Sequence, residues 1–515
     1  MGSPTSLLQG ARAFARDFAR DEMPKGYLWD VVDYVPTFID AQLTGRGGWG
    51  WGSDVLSGHI ESGILANYVA GDQLLFQTDN GRLIQIDATN PAGPTIADRG
   101  AIVRAAQNPV KRFEDVIWMD KTGASVPKIV RSSGAPLDAG AGTAPKVKVG
   151  TLWGGAGDSY FVGGGAPGEE DTLNFSHPTN DLATAGGWDS QSKVRMAAAI
   201  TGLAALRSVL IVFHAGSTER VRGSTPPSST TANDDLNPEP LFARSGCPDP
   251  KAIAYWNENV VFADEHGVHL TDGAVVRNLA SQGGILSFWR NLWSSRSYLA
   301  ACTFLDYYII TLGFPSNPPI TLVVDLNKRQ WFRFSNMPVQ CYVASGGSTG
   351  MERVWGGLAT VNRAIRVGPI FFPVPAGQND DADGTHVLPV FETPWYRMGQ
   401  EGRKRARFVY LSYDVRSTSG LGTKLDEGEI PPPAPPELLA ALAPVLEVGY
   451  IRSPQMPSYT ILGELPYTTA YSRYRLPLGQ FPYGVAFRVR QANPSSVNRI
   501  FDLAVEAQAA ERSRV

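Results

Sequence analysis

Four short patterns in this chain have residue types that do chemistry elsewhere. Gly346-Gly347-Ser348-Thr349-Gly350 fits the G-x-S-x-G turn that presents a nucleophilic serine. That turn needs a strand before it and a helix after it. The following residues, Met351 to Gly357, read as a strand ending in a turn, so a glycine-rich hairpin turn is expected. His266 and His269 have H-x-x-H spacing. On a strand pair this spacing does not converge on one metal, and no third ligand stands nearby. They are expected to be solvent-accessible hairpin histidines. Asp380, Asp381 and Asp383 precede Gly384, as in a calcium loop, but His386 follows and the later bidentate Glu is missing. A solvated acidic loop is expected there. Gly163 to Gly168 is glycine-rich but lacks the Lys-Ser/Thr that holds phosphate and magnesium, so it reads as a loop.

No H-E-x-x-H pair and no Cys–His nucleophile signature stands out. The expectation is a non-enzymatic chain, with no catalytic residue, cofactor or metal ligand assigned. Two aromatic clusters remain. Trp49 and Trp51, and Trp289 and Trp293, are candidate interface anchors, with core packing as the plainer use of such rings. The basic run Arg403, Lys404, Arg405 and Arg407 is a candidate contact for DNA or an acidic partner, or else a solvated lead-in to a strand.

The composition bounds what can surround these residues. At 515 residues the chain fits two or three domains, or one large repeat-built domain with additions. Hydrophobic residues are 43% and charged residues 18%, a globular balance. The 54 glycines and 38 prolines exceed the usual share of roughly 12% for the pair, which implies many turns between short strands. A net charge of -3 does not suit a protein that grips phosphates. Three widely spaced cysteines, Cys247, Cys302 and Cys341, form neither a disulfide framework nor a zinc motif. The N-terminus has no apolar signal core, and no stretch is long and apolar enough to span a bilayer.

Short apolar runs separated by turn residues recur from about residue 60. Ile64 to Val69, Gln73 to Thr78 and Arg82 to Asp87 form one meander, with a hairpin turn at Asn80-Gly81. Similar units run over 113–131, 152–175, 200–223, 252–279, 299–334 and 342–367. Their starts lie roughly 40–50 residues apart, the spacing of propeller blades. The expected fold is all-β: a β-propeller of six or seven blade-like units over 59–372, then a β-sandwich-like domain over 388–515. A plain run of meanders in a sandwich is the alternative. Residues 1–58 read as an N-terminal arm and lead-in, with a short helix or arm over 1–25. Residues 373–387 are a connecting loop, 223–250 a polar proline-rich loop, and 427–440 a proline-rich insert around Pro431 to Pro436. A short helix over Glu437 to Ala443 and strands near Phe408 to Asp414, Val445 to Tyr450, Gly484 to Arg490 and Ile500 to Glu506 complete the reading.

The order of several motifs resembles one family, the tail hub or nozzle proteins of short-tailed bacteriophages. Trp29-Asp30-Val31-Val32-Asp33-Tyr34-Val35-Pro36 resembles their opening. Phe175-Ser176-His177-Pro178-Thr179-Asn180-Asp181, followed by Gly186-Gly187-Trp188, is similar to a stretch in their middle. So are Leu210 to Phe213 with Ser217 to Val221, Asn259 to Val268, and Val324 to Trp331. Phe391-Glu392-Thr393 and Lys404 to Phe408 are similar to the start of their C-terminal domain. The likeness covers most of 27–510 and departs in the proline-rich inserts. It implies a virion protein, made in the host bacterial cytoplasm, that forms a homohexameric ring below the portal and adaptor. Such a ring extends the DNA exit channel, helps retain the genome, and bears tail fibres, a spike or a needle. Double-stranded DNA would pass without tight binding. No catalytic residue comes with the resemblance. Two rival expectations stand beside it: a carbohydrate-binding or glycosidase-like propeller at a phage tail tip, and an adhesion or scaffold protein outside any virus. The repeated Ser-x-Asp-x-Gly-x-Thr-Trp box of sialidases is absent.

Overall fold

The computed structural model describes residues 55–345 except 87–95, 155–158, 207–208 and 228–234, and residues 353–367. Outside these it describes 5–6, 13–16, 27–32, 34–36, 43–45, 50–51, 53, 390–393, 404–417, 446–451, 459–465, 472–477, 485–491 and 496–509.

Each meander read from the sequence becomes a four-stranded antiparallel unit. The first is Ile60–Tyr68, Gly71–Thr78, Arg82–Ile86 and Ile96–Ala101. Its tight turn works because Gly81 takes φ +73°, open to glycine at little cost, and donates its N–H to Thr78 O at 2.9 Å. Four more follow over 110–138, 149–195, 202–242 and 254–278. The sixth, over 298–334, opens a nine-stranded sheet. The seventh combines Val339–Ser345, Arg353–Leu358 and Ala364–Arg366 with an outer strand, Gly50–Trp51, from far upstream. Six of these units are therefore separate four-stranded sheets, and the fold is a β-propeller with an added C-terminal part.

Apolar faces pack blade against blade around the ring. Trp118 and Val130 of the second blade pack on Tyr68 and Leu75 of the first, and Phe161 of the third on Ile117 and Ile129 of the second. The ring closes where Phe76 and Ile84 of the first blade meet Val343 and Trp355 of the last. There Gly357 lies so close to Ile60 that a Cβ would fall 2.4 Å from the Ile60 Cβ.

The sequence boundaries do not survive as spatial ones. Asp30–Val32, expected in an arm, is a strand between the outer edge of the sixth blade and Val390–Glu392. The sheet runs on through Ala486–Gln491, Leu446–Ile451 and Thr460–Leu465. A second sheet holds Lys404–Ser417, Ser472–Pro477 and Ser496–Ala509 with Leu43–Gly45, Tyr34–Pro36 and Thr5–Ser6. Leu411 and Leu503 of this sheet share a core with Val448 and Val489 of the other, and a Cβ on Gly463 would lie 2.9 Å from Leu476. Two sheets thus face each other, as the sandwich expectation required.

Two other expectations need correction, and one helix was not foreseen. Within 1–25, where a short helix or an arm was expected, Thr5–Ser6 and Ala13–Phe14 are strands, the latter paired in parallel with Tyr27–Leu28. The proline-rich loop 223–250 contains the outer strand of the fourth blade, Asn237–Phe242. Pro238 and Pro240 are tolerated because an outermost strand leaves one side without ladder bonds. The helix Leu286–Ser295, which carries Trp289 and Trp293 between the fifth and sixth blades, was not foreseen. Residues 373–387 and the insert 427–440, with its helix, lie outside the described residues.

The joint between propeller and C-terminal sheets is held by charge as well as by backbone bonds. Asp30 Oδ2 accepts from Arg333 of the sixth blade at 2.8 Å and from Arg16 at 2.6 Å, while Asp30 Oδ1 accepts from Val31 N at 3.0 Å. Asp30 is buried. Removing it strands two guanidinium groups at a part-buried seam. Asp30→Ala is expected to cost about 3 kcal/mol of stability. Denaturant unfolding followed by tryptophan fluorescence checks this. A midpoint equal to wild type would show that the seam does not depend on the ion cluster.

Candidate functional site

The inner strands of the blades surround an axial cavity of about 550 Å³. Its wall is polar. Asn108 Nδ2 donates to Tyr342 O at 2.7 Å, and Asn108 Oδ1 accepts from Gly63 N at 3.2 Å. Gln340 Nε2 donates to Ile60 O at 2.9 Å, and Lys251 Nζ to Gln340 O at 3.3 Å. Tyr255 reaches between blades: its hydroxyl accepts from Ala205 N at 3.0 Å and lies 3.2 Å from Thr151 Oγ1. About half of the Tyr255 surface is open to the cavity. The protein around it nevertheless pushes its phenol pKa up, against these two hydrogen bonds. A DNA major groove alone is about 12 Å wide, so an axial cavity of about 550 Å³ is too small to pass a duplex.

One cluster has the residue types of a hydrolase triad. Ser245, Asp264 and His269 are all buried. The strands Asn259–Asp264 and Gly267–Thr271 pair so that His269 faces Phe262, which puts Asp264 diagonally beside it on the same face. Ser245 Oγ donates to Asp264 Oδ2, and Asp264 Oδ1 lies 2.8 Å from His269 Nε2. That same Nε2 lies 2.9 Å from Ser245 Oγ. A working triad uses one ring nitrogen for the serine and the other for the carboxylate. Here one nitrogen serves both, and the serine hydroxyl already donates its hydrogen bond to the carboxylate. Burial pushes the Asp264 pKa up, but hydrogen bonds from His269, Ser245 and the His266 N–H outweigh it and hold it below the usual range. Trp289 Nε1 donates to Asp264 O at 2.7 Å, so the cluster ties the helix to the fifth blade. The fourth blade has a similar arrangement, with His214 Nε2 2.9 Å from Glu219 Oε2. We read both as architectural locks.

These findings place the sequence candidates. Trp289 is fully buried and Trp293 nearly so, their rings 5.4 Å apart at i and i+4 of one helix. Neither ring is open on the surface of the chain. The i, i+4 spacing was the available signal for that helix. Trp51 supplies the closing strand of the last blade by pairing with Ile365, and Trp49 lies outside the described residues. Lys404, Arg405 and Arg407 lie on the strand Lys404–Ser417, paired to Ser496–Ala509, and Arg403 lies outside the described residues. His266 is exposed as expected, but His269 is not: it stacks on Phe262 at 5.0 Å. Gly163 and Gly164 belong to the strand Tyr160–Gly164, and the turn follows them. Residues 346–350 and 380–386 lie outside the described residues, and a strand, Arg353–Leu358, follows the first of these. The three cysteines are free and buried, and burial pushes their thiol pKa values up, that of Cys341 to about 12. Among the described residues, no group of three or more His, Cys, Asp or Glu side chains is placed to hold a metal ion.

Two inter-blade locks were not legible in the sequence. Arg112, buried, donates to Ser159 O at 2.8 Å, Asn180 O at 3.1 Å, His177 O at 2.8 Å and Pro178 O. Glu61 binds Arg104 and lies 3.4 Å from Lys121 Nζ. Through Gln77 it connects to Ser62 and the indole of Trp118.

No protein-family model matches the chain, and no curated protein matches it. Among solved structures it is similar to the RRP9 WD40 repeats, with 12% identity, 62% of this chain and 98% of that chain covered, and a TM-score of 0.38. It is similar to U3-55K at 12% identity, covering 61% of this chain and 97% of that chain, TM-score 0.38. The WD40 beta propeller domain of Doa1 shares 10% identity over 62% of this chain and 96% of its own, TM-score 0.38.

Two measurements test the locks. Burial pushes Glu61 up, but hydrogen bonds from Arg104 and Gln77 and the charges of Lys121 and Arg104 outweigh it, holding the carboxyl at about 2, below its ordinary 4.5. A depressed folded value means the stabilisation is whole above pH 4.5 and is lost as pH falls toward 2. Glu61→Gln should lose about 1–2 kcal/mol at neutral pH after solvent screening, and the loss should shrink as the pH approaches 2. Denaturant melts across that range give the answer, and a pH-independent difference would refute it. For the serine cluster, a fluorophosphonate probe should leave Ser245 unlabelled in the folded chain. Ser245→Ala should cost about 1–3 kcal/mol. Labelling at Ser245 would overturn the architectural reading.

Proposed function

We propose that this chain is a structural subunit of a bacteriophage tail, a nozzle or hub protein. It assembles into a ring below the portal and adaptor, extends the DNA exit path, helps retain the genome, and anchors fibres or a needle. The observation that supports this most is where the family-like motifs sit in the fold. The opening motif, Trp29 to Pro36, supplies Asp30–Val32 to the sheet that joins the propeller to the C-terminal part. The middle motif, Phe175 to Asp181, is the segment that Arg112 grips from the neighbouring blade. Both motifs are joints of the architecture, as expected of features shared by proteins that have a scaffold in common and no reaction.

The small axial cavity of the propeller bears on the DNA path. A conduit requires several copies arranged around a symmetry axis, through heterologous contacts that close into a ring. Propellers suit such a ring, since they are rigid and leave only short protected edges. A net charge of -3 favours a wall along which DNA slides. Electron micrographs of purified particles, with the chain marked by a specific antibody fragment, should show a ring of six copies below the neck. The isolated chain should bind duplex DNA at physiological salt no more tightly than about 10 µM. A chain that stays monomeric and is absent from particles would end this reading.

A further inference from the structure

The axial cavity has room for a small molecule, and the one charge on its wall has no counter-charge. Its volume, about 550 Å³, lies within the range of small-molecule sites. Among the described residues that line it, Lys251 alone carries a formal charge. Burial pushes the phenols of Tyr255 and Tyr342 and the thiols of Cys302 and Cys341 up, so these four lining groups are neutral. Lys251 belongs to the turn Pro250–Ala252 ahead of the fifth blade, yet its Nζ ends 3.3 Å from Gln340 O on the first strand of the seventh. Between them stands the first strand of the sixth blade, Tyr298–Phe304, whose Ala300, Ala301 and Cys302 line the cavity. The lysine side chain therefore crosses the cavity in front of that strand, where two alanines leave it room.

An ammonium has three N–H donors. One goes to the Gln340 carbonyl, and among the described residues Lys251 forms no ion pair. Two acids on adjoining elements are engaged elsewhere. Glu61 of the first blade binds Arg104 and Lys121, and Asp249 Oδ1 accepts from the backbone N–H of Lys251 at 3.0 Å. A part-buried charge is stabilised by an opposite charge that also accepts its hydrogen bonds. One cation calls for one negative charge. A phosphate dianion would bring a second charge with no cation on the wall to meet it, and a neutral ligand would leave the ammonium as it is. The rest of the wall selects the body of the ligand. Leu152, Leu203 and Ile253 supply apolar surface, and the half-open Tyr255 ring supplies a flat face.

We propose that the axial cavity binds a small organic carboxylate with an apolar body, its carboxylate group on the Lys251 ammonium. The proposal goes beyond the tail reading and does not depend on it, because binding is measured on the isolated full-length chain. Benzoate and hexanoate are titrated calorimetrically in chloride-free buffer, beside benzamide, hexanamide and inorganic phosphate. Saturable binding of a carboxylate is expected, with a Kd of about 1 mM, and the matching amide and phosphate should bind about tenfold more weakly or less. Lys251→Met keeps the length of the side chain and removes its charge. It should weaken carboxylate binding about tenfold or more. It should also melt close to wild type, because only one hydrogen bond, at 3.3 Å, is lost with the ammonium. Ala344→Phe keeps Lys251 and adds a ring at an exposed position on the cavity wall, so it should weaken binding by a similar factor. Absence of saturable carboxylate binding up to about 10 mM overturns the proposal. So does an amide or phosphate that binds as tightly as the carboxylate, or carboxylate binding that Lys251→Met leaves unchanged.

Discussion

The continuous hydrogen-bonded seam at Asp30–Val32 is the constraint on which the rest of the molecule depends. This strand pairs on one side with the outer edge of the sixth blade through Arg333 and on the other with Val390–Glu392. Backbone ladders are obligatory partners for buried strands, so the seam cannot open without leaving donors and acceptors unpaired. Asp30 adds two guanidinium contacts at the same place, and Tyr34 packs edge-on against Phe391 with centroids 5.8 Å apart. One of the two C-terminal sheets is therefore a direct extension of the sixth blade. A second upstream strand, Gly50–Trp51, closes the last blade. Residues from one N-terminal stretch thus fasten both the ring and its extension.

Around the ring, polar locks do the specific work and apolar faces the bulk work. Arg112 answers four carbonyls of the next blade, and Glu61, Gln77 and Ser62 lead to the Trp118 indole. The Ser245–Asp264–His269 group belongs with these. Its residue types are those of catalysis, but sharing Nε2 between both partners removes the relay that a triad needs. Burial then makes good sense of it, since a fully paired network inside a blade is rigid.

The strand rhythm was readable because blade strands alternate or run apolar between glycine turns, and because each unit spans a similar length. All seven units, and the strands near 408–414, 445–450, 484–490 and 500–506, are found close to where their patterns lie. The helix at Leu286–Ser295 was missed because its short amphipathic run sits between strand-like segments. The outer strand Asn237–Phe242 was missed because two prolines signal a loop unless the strand is known to lie at an edge.

What the sequence by itself determined is the local part: the turns, the strand lengths, the all-β class, and the lack of any catalytic motif in its required context. These depend on φ/ψ preference and period, which neighbours in sequence decide. Only the tertiary structure decided which strand joins which sheet, and where each polar side chain finds its partner. Asp30 meets Arg333 across 303 positions, and Asn108 meets Tyr342 across 234. No local pattern records such distances. The same is true of the candidate site. The glycine run at 163–168 and the histidine pair looked chemical but were local patterns, and they became strand, turn and core. The axial cavity beside Thr151, Tyr255 and Tyr342 exists only because the blades close into a ring.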